Sequence, residues 1–301
     1  MRAGRPSAAP VGPMAEGVLV LVGTPIGNLG DLSPRAVEAL AAADAICCED
    51  TRRTGRLLQH AGVERKGALM VVNEHTEAQE VDGMLTRLSR GERVAVVSDA
   101  GMPGISDPGE RLVRAAVDAG HVVEVVPGPS AALAALVASG LPTGRFVFEG
   151  FLPRKGSGRS ERLAAVAAER RTVVLYEAPH RLPRTLADLA SVCGDDRPVA
   201  VARELTKLHE EVWRGTLGEA AAWAVERPPR GEIVLVLDGA PEAPPPDDDA
   251  LVDALSEALA AGVSARDAAR AVATRLGVRR RHAYDLAVTV ARRRGGHETR
   301  S

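Results

Sequence analysis

Short apolar runs rich in β-branched residues alternate with longer amphipathic runs along most of the chain. Runs such as Gly17–Val22, Ala45–Cys48 and Arg93–Ser98 have the length and composition of buried strands, and a segment of helical period follows each of them. This alternation is typical of α/β proteins with largely parallel sheets. It predicts one α/β domain over residues 17–127 and a second over residues 128–239.

Beyond residue 239 the pattern changes. Residues 240–249 (APEAPPPDDD) combine prolines with aspartates and are predicted to form an extended linker. Residues 250–294 predict a small helical unit with the rhythm of a helix-turn-helix, in which Ser264 caps the helix Ala265–Leu276. Nine arginines and only two acidic residues lie between positions 264 and 294, which favours contact with a polyanion over a merely solvated helix face.

The two ends of the chain, residues 1–16 and 295–301, are predicted to be tails, the first of them disordered. Residues 1–16 lack the apolar core of a signal peptide, and the chain contains no run of eighteen apolar residues. We therefore expect a cytoplasmic protein without a membrane span.

Composition and charge narrow the classes of function. Hydrophobic residues make up 45% of the chain and charged residues 26%, with a formal net charge of -2, as in a globular protein. Aromatic residues make up only 2%, which argues against a base-stacking RNA-binding platform. Cys47, Cys48 and Cys193 fit neither a disulfide framework nor a zinc site, so we expect buried apolar side chains at these positions and no metal.

Three loops rich in glycine and proline each follow a predicted strand, at Gly23–Gly30, Asp99–Gly109 and Pro127–Ala131. A single loop of this kind is often only a tight turn, but ligands of open α/β sheets bind beyond the carboxyl ends of the strands. The loops hold neither lysine nor arginine and match no phosphate-binding fingerprint, so they serve a polyphosphate poorly. A nucleoside without phosphates, such as S-adenosylmethionine, fits them better.

Seven ordered segments carry a resemblance to a known family: Gly23–Asp31, Glu49–Arg52, Ser98–Gly109, Pro127–Ala131, Phe148–Pro153, Tyr176–Arg181 and Ala202–Lys207. Together they closely resemble the tetrapyrrole-methylase superfamily, and within it the enzymes that methylate the RNA of the small ribosomal subunit at a cytidine 2′-hydroxyl. The resemblance covers residues 17–238, and the C-terminal helical unit is also similar to the small terminal domain of those enzymes.

The resemblance implies a homodimer of two-domain α/β subunits, with S-adenosylmethionine in the cleft between the two domains. It implies transfer of a methyl group to the ribose of a decoding-centre cytidine in 16S rRNA of the small ribosomal subunit. The cofactor-binding residues that it implies by position are Pro25, Ser98, Asp99, Ala100, Gly101, Ile105, Ser106, Ser130 and Ala131, followed by Tyr176, Glu177, Ala178, Glu204 and Leu205.

Polar residues at the ends of predicted strands supply the candidates for catalysis and RNA contact. A ribose hydroxyl is a poor nucleophile, so a base or a cation beside it would help. The catalytic candidates are Glu49, Asp50 and Lys207. For Glu49 and Asp50 a role in the site is favoured over helix capping. For Lys207 a catalytic role and a surface salt bridge are equally favoured. The candidates for contact with rRNA phosphates are Arg52, Arg53, Arg154, Lys155 and Arg159.

Other functions remain open at this point. A methylase of the same superfamily could act on a small porphyrinoid, but such a substrate needs neither the basic helical unit nor the basic loop Pro153–Arg159. A non-catalytic RNA-binding protein would retain the RNA contacts and lack affinity for the cofactor. A nucleotide hydrolase is disfavoured because the loops hold no lysine for phosphate.

Overall fold

The computed structural model describes residues 17–73, 76–242 and 246–298, and side chains as far as residue 292. The predicted tail over residues 1–16, the middle of the predicted linker and residues 299–301 lie outside the described residues. The chain divides into two compact units, one that ends at Ala240 and one that begins at Pro241.

The first half of the first unit is a five-stranded sheet in which every pair of neighbours is parallel, in the order β3-β2-β4-β1-β5. Its strands are β1 (Val18–Val22), β2 (Ala45–Cys48), β3 (Ala68–Val71), β4 (Arg93–Val96) and β5 (Val122–Val126). The helices that connect them are α1 (Pro34–Ala42), α2 (Thr51–His60), α3 (Glu77–Ser89) and α4 (Glu110–Asp118).

Helices cover both faces of this sheet, which explains why its strands are apolar without alternation. The adjacent Cys47 and Cys48 point to opposite faces, the first into a core with Met84 and the second into a core with Leu40. Both thiols are buried, as predicted, and Cys193 is half-buried.

Side-chain caps set the helix starts. The Ser33 hydroxyl accepts the Ala36 amide at 3.1 Å, so α1 begins directly after Ser33, at Pro34. Helix α2 begins at Thr51, because the Asp50 carboxylate accepts the amides of its first turn.

The second half is also a five-stranded sheet, in the order β6-β7-β10-β8-β9. Its strands are β6 (Phe146–Phe151), β7 (Thr172–Glu177), β8 (Pro198–Arg203), β9 (Glu211–Thr216) and β10 (Ile233–Leu237). Only β6 and β7 pair in parallel, so the prediction of largely parallel sheets is wrong here. The short connection between β8 and β9 forces an antiparallel pair, and β10 then inserts antiparallel between β7 and β8.

The helices of the second half are α5 (Ala131–Ser139), α6 (Ser157–Ala168), α7 (Leu182–Cys193) and α8 (Leu217–Glu226). Helix α5 follows β5 in the chain but packs against the second sheet, where Ala135 and Leu136 meet Val174 and Val236. Ser130 precedes this helix without capping it through its side chain. The α/β class expected from the sequence is confirmed for both halves.

The second unit is a cluster of helices: α9 (Asp248–Ala260), α10 (Ala265–Leu276) and α11 (Arg280–Glu298). Leu251 and Leu255 pack against Ala268 and Val272 in its core. Ser264 caps α10 as predicted. Two predicted boundaries need correction, because an Asp247 cap starts α9 inside the predicted linker and α11 extends into the predicted tail at 295–301.

Candidate active site between the two halves

The loops that follow β1, β4 and β5 meet at the carboxyl edge of the first sheet. Thr24 and Gly101 pair through their backbones, with N–O distances of 2.9 and 3.2 Å. Gly23 and Gly128 cross so closely that a Cβ atom on Gly23 would lie 2.5 Å from the Gly128 nitrogen. The structure thus brings together the three glycine- and proline-rich loops of the sequence.

The second half closes over these loops through the segment that follows β8. The Asn28 amide donates to the Thr206 hydroxyl at 3.0 Å. A Cβ atom on Gly27 would lie 2.7 Å from the same hydroxyl and would overlap the Lys207 side chain. Glu204 and Thr206 have φ angles of 52° and 65°, a left-handed backbone that side chains rarely adopt. The two halves therefore meet in a closely packed contact.

A cavity of about 390 Å³ lies beside this contact, and we call it the central cavity. Its size falls within the range of roughly 300–1,000 Å³ that is common for small-molecule sites. Its lining from the first half and α5 consists of Ile26, Arg53, Asp99, Ala100, Met102, Ile105, Ser106, Asp107, Ser130 and Ala131. From the second sheet come Phe151, Tyr176, Glu177, Ala178, Pro179, Ala202, Leu205, Gly231, Glu232, Ile233 and Val234.

Most of the cofactor-binding residues implied by the resemblance are in this lining. They are Asp99, Ala100, Ile105, Ser106, Ser130, Ala131, Tyr176, Glu177, Ala178 and Leu205. Pro25, Ser98, Gly101 and Glu204 are not in it. Ser98 is buried behind the wall, where its hydroxyl donates to the Gly101 carbonyl at 3.2 Å.

Sequence reasoning missed the contribution of β10. Gly231, Glu232 and Ile233 line the cavity because β10 runs antiparallel to β7 and β8, which brings its first residues to the edge where those strands end. A parallel strand would have placed them at the opposite edge. Asp107 also lines the cavity and was not among the predicted site residues, although it lies inside the predicted loop Asp99–Gly109.

The central cavity is acidic. Among the described residues that line it, four are carboxylates (Asp99, Asp107, Glu177 and Glu232), and Arg53 is the only basic one. Burial raises the pKa of the Asp99 carboxyl, and it raises the pKa of Asp107 to about 7. The buried Oδ1 atom of Asp99 has no hydrogen-bond partner in the part of the chain that the structure describes. This atom is an acceptor that a bound ligand can satisfy.

The three catalytic candidates lie outside the lining. Glu49 supports the wall from behind, since its Oε1 accepts the Asp99 amide at 3.0 Å. Asp50 caps α2 by accepting the Arg52 amide at 2.7 Å, and this bond holds the pKa of its carboxyl below the usual range. The structure therefore shows the capping arrangement for Asp50 that the sequence analysis disfavoured.

Lys207 is held in ion pairs. Its Nζ lies 2.8 Å from Glu204 Oε1 and 3.2 Å from Glu232 Oε2. The ammonium therefore makes the salt bridge that was one of its two expected roles, and it neutralises part of the charge at the cavity edge.

The basic candidates for RNA contact separate into two groups. Arg52, Arg53, Arg154 and Lys155 are exposed. Arg159 is buried, and its guanidinium bonds to Asp188 Oδ2 at 2.7 Å and to the Pro153 carbonyl at 3.0 Å. The expectation that Arg159 contacts RNA is corrected, because its donors are used within the fold.

Two general features of the described residues bear on the site. They contain no group of three or more His, Cys, Asp or Glu side chains arranged to hold a metal ion. Within the same residues, no helix has the length and apolar character needed to cross a bilayer.

Comparison with known proteins confirms the resemblance. A family model described as Tetrapyrrole (Corrin/Porphyrin) Methylases matches residues 18–221. The chain is 47% identical to ribosomal RNA small subunit methyltransferase I of Synechocystis sp., over 90% of this chain and 98% of the relative. It is 46% identical to the protein of that name from Mycobacterium bovis, over 94% and 99%. The solved structure of the methyltransferase CobJ shares the fold, with 24% identity, a TM-score of 0.57 and coverage of 74% of this chain and 94% of that one.

Proposed function

Because the chain belongs to the family of tetrapyrrole (corrin/porphyrin) methylases, we propose that it uses S-adenosylmethionine to methylate the small-subunit ribosomal RNA. The acceptor is the ribose 2′-hydroxyl of a decoding-centre cytidine in 16S rRNA, and the protein works in the cytoplasm. The observation that carries the proposal is the acidic central cavity, which both halves line beside exposed basic residues. The names of the two relatives support RNA as the substrate class.

The central cavity fits the proposed methyl donor in size and charge. S-adenosylmethionine supplies a methyl group bound to a positively charged sulfur. Among the described lining residues four carboxylates stand against one basic side chain, so the cavity favours a cationic ligand. The unpartnered Asp99 Oδ1 can accept a hydrogen bond from the ammonium or ribose groups of the ligand.

Apolar side chains of the lining exclude water from the ligand. Ile26 is buried at the contact between the halves, and Ile105 is partly exposed in the loop between β4 and α4. Leu205 lines the cavity from the second half. Where these apolar side chains surround the sulfur, they disfavour its positive charge relative to the neutral thioether, which favours departure of the methyl group, while the carboxylates attract the ligand as a whole. The chain's main contribution is to align the acceptor oxygen with the methyl carbon.

The exposed arginines and lysine are the proposed RNA contacts. Arg52 and Arg53 lie in the first turn of α2, and Arg154 and Lys155 lie in the loop between β6 and α6. Both segments follow the carboxyl ends of strands that lead to the central cavity. The arginines of the second unit are proposed as additional contacts with RNA, because they outnumber its acidic residues between positions 264 and 294.

A double substitution tests the proposed RNA surface. Arg154→Ala with Lys155→Ala should make the salt dependence of binding to small ribosomal subunits less steep by roughly 1.5 in log–log slope, since two phosphate contacts are lost. Arg65→Ala with Lys66→Ala is the matched control, an exposed Arg-Lys pair that precedes β3 and lies at the opposite edge of the first sheet. An unchanged slope in the first variant would remove this surface from the proposal.

The proposed reaction is tested directly with radioactive S-adenosylmethionine. The purified protein should label small ribosomal subunits, and mass spectrometry of the labelled rRNA should place the methyl group on a cytidine ribose. Labelling of a tetrapyrrole in place of the subunit would favour the porphyrinoid alternative. Binding to subunits without calorimetric binding of S-adenosylhomocysteine would favour a non-catalytic RNA-binding protein.

A homodimer is part of the proposal, as the family resemblance implies. Large apolar side chains of α5 and β5 are exposed, with Val137 75%, Leu133 50% and Val125 48% exposed. The first two belong to α5 and the third to β5, an edge strand of the first sheet. Exposed apolar groups of this kind mark interaction surfaces. Sedimentation velocity should therefore give a mass of two chains.

A further inference from the structure

We propose that Asp107 accepts the proton of the ribose 2′-hydroxyl during methyl transfer. The inference rests on the proposed function, because a hydroxyl that is methylated on oxygen must release its proton. Among the described residues that line the central cavity, the four carboxylates are the side chains able to take up a proton from a ribose hydroxyl placed there. Three of them are engaged by cations or by several donors.

Glu177 is the most fully engaged of the four. Its side chain is buried, and its Oε1 accepts the Ala178 amide at 2.8 Å and faces Arg181 Nε at 3.2 Å. Its Oε2 accepts the Thr185 hydroxyl at 2.6 Å. Both oxygens are therefore used in orienting the end of β7 and the start of α7.

Asp99 and Glu232 each face a cation. Asp99 Oδ2 lies 3.3 Å from Arg53 Nη1, and Glu232 Oε2 lies 3.2 Å from Lys207 Nζ. Each cation occupies a carboxylate oxygen that would otherwise be available to a proton from the substrate. These two residues are better suited to attracting the cationic donor than to taking a proton.

Asp107 lacks such a partner. Among the described residues no lysine, arginine or histidine lies within 4.0 Å of its carboxylate. The one polar side chain within hydrogen-bonding reach of it among the described residues is that of Ser98, which acts to lower the pKa of Asp107 and whose hydroxyl proton is donated to the Gly101 carbonyl. The carboxylate is thus half-buried at the cavity wall with one neutral partner, which leaves acceptor positions for a proton from the substrate.

The loop that carries Asp107 is closed at both ends, which fixes the carboxylate in place. The Gly104 amide donates to the Pro108 carbonyl at 3.1 Å, and the Gly109 amide donates to Glu77 Oε1 at 2.9 Å. Between them Ser106 has a φ of 62°, a left-handed conformation that is costly for a serine. Strained residues of this kind cluster at functional sites, where the surrounding bonds hold them.

The charges around Asp107 suit a base that works near neutral pH. Burial raises its pKa to about 7, and the negative charges of Glu49, Asp99 and Glu232 act in the same direction, while Ser98 acts against them. Tyr176 faces it from β7, and the Arg53 cation of α2 is paired with Asp99. A general base is most effective when its pKa lies near the working pH.

The step balances with the groups already named. The ribose oxygen forms a bond to the methyl carbon while the bond from that carbon to sulfur breaks, and its electron pair stays on the sulfur. The O–H bond of the ribose breaks, its electron pair stays on oxygen, and the proton moves to the Asp107 carboxylate. The products are a ribose methyl ether, a neutral thioether and a protonated Asp107, which returns its proton to water.

The test is single-turnover methylation of small ribosomal subunits with saturating radioactive S-adenosylmethionine, from about pH 5 to about pH 9. The wild-type rate should rise about tenfold per pH unit and level off near pH 7. Asp107→Asn should be slower by roughly 10²–10³-fold at pH 8 and should lose this dependence. Its affinity for S-adenosylhomocysteine should stay within about threefold of the wild type, a smaller change than the tenfold difference that corresponds to about 1.4 kcal/mol.

Asp118→Asn is the matched control, the same substitution at the exposed end of α4, and it should retain the wild-type rate and profile. A rate for Asp107→Asn within tenfold of the wild type would overturn the inference, as would a loss of cofactor affinity that accounts for the loss of rate. The inference would also be overturned if the pH profile of the wild-type rate showed no inflection near neutral pH, a measurement that requires no variant. Absence of methyl transfer by the wild type would instead refute the proposed function.

Discussion

Glu77 offers a sharp test of how the cavity loop is held. Its side chain is 6% exposed, and its Oε1 accepts the amides of Gly109 and Arg111 at 2.9 Å and that of Leu112 at 3.4 Å. These amides open α4, whose own N-cap is Gly109, a residue with no side chain to cap it. A glutamate from α3 therefore performs the capping that α4 lacks.

The cost of removing this carboxylate can be worked out from its bonds. Each hydrogen bond to a charged group contributes about 1.5–3 kcal/mol, and Glu77→Ala removes two short bonds and one long one. Allowing for water that enters the space, we expect a loss of about 3–5 kcal/mol in the free energy of unfolding. Glu77→Gln keeps one acceptor oxygen and loses only the attraction between the charge and the helix dipole, so it should lose about 1 kcal/mol.

Urea unfolding followed by circular dichroism measures both losses, with the slope against urea checked for constancy. Gln79→Ala, at an exposed position of α3, is the control and should change the stability by less than about 0.5 kcal/mol. Calorimetry with S-adenosylhomocysteine should also show weaker binding by Glu77→Ala, because the loop it anchors lines the central cavity. A loss below about 1 kcal/mol with an unchanged slope would refute the capping role.

Three further expectations follow from the contacts. Gly27→Ala should weaken binding of S-adenosylhomocysteine by about tenfold or more, because the added methyl group overlaps the Lys207 side chain where the two halves meet. Calorimetry measures the affinity, and wild-type affinity in this variant would contradict the expectation. Arg159→Ala should lower the free energy of unfolding by roughly 3 kcal/mol, since it removes the buried guanidinium that bonds to Asp188, Thr185 and the Pro153 carbonyl. The salt dependence of subunit binding should stay unchanged, and a lowered salt slope would restore Arg159 as an RNA contact. Asp107→Asn should be more stable than the wild type above pH 7, by on the order of 2 kcal/mol after solvent screening, and equally stable near pH 4. The pKa of Asp107 is higher in the folded than in the unfolded state, so the stability of the wild type falls as the pH rises between these values. The same difference in stability between variant and wild type at both pH values would contradict the raised pKa.

More of the fold could be predicted from the sequence in the first half of the molecule than in the second. In the first half the apolar runs are separated by helices, and parallel strands with carboxyl-end loops follow from that alternation. The loops at Gly23 and Gly101 could therefore be placed at one edge of a sheet before their contacts were known. In the second half the direction of β10 depends on which edges β7 and β8 leave free, and no local pattern in Ile233–Leu237 records it.

Individual side chains were harder to place than loops, because their roles depend on neighbours distant in the sequence. In the sequence Arg159 looks like a basic residue of an exposed loop. In the structure it is buried, because its guanidinium bonds to Asp188 and Thr185, which lie 29 and 26 positions away in the chain. Asp107 reads as part of a turn between Ser106 and Pro108. Its proposed role as a base could be inferred only from the structure, in which the Arg53 and Lys207 cations pair with Asp99 and Glu232 and not with Asp107.

The position of β10 has a consequence for how the protein is made on the ribosome. It is the last strand of its sheet to be synthesised, yet it lies in the middle, bonded to β7 on one side and β8 on the other. A nascent chain that stops short of residue 233 leaves both of those neighbours with open edges, which are prone to pairing with other chains. The ability to capture a ligand should accordingly arise late in translation, when the polypeptide through Leu237 has left the exit tunnel.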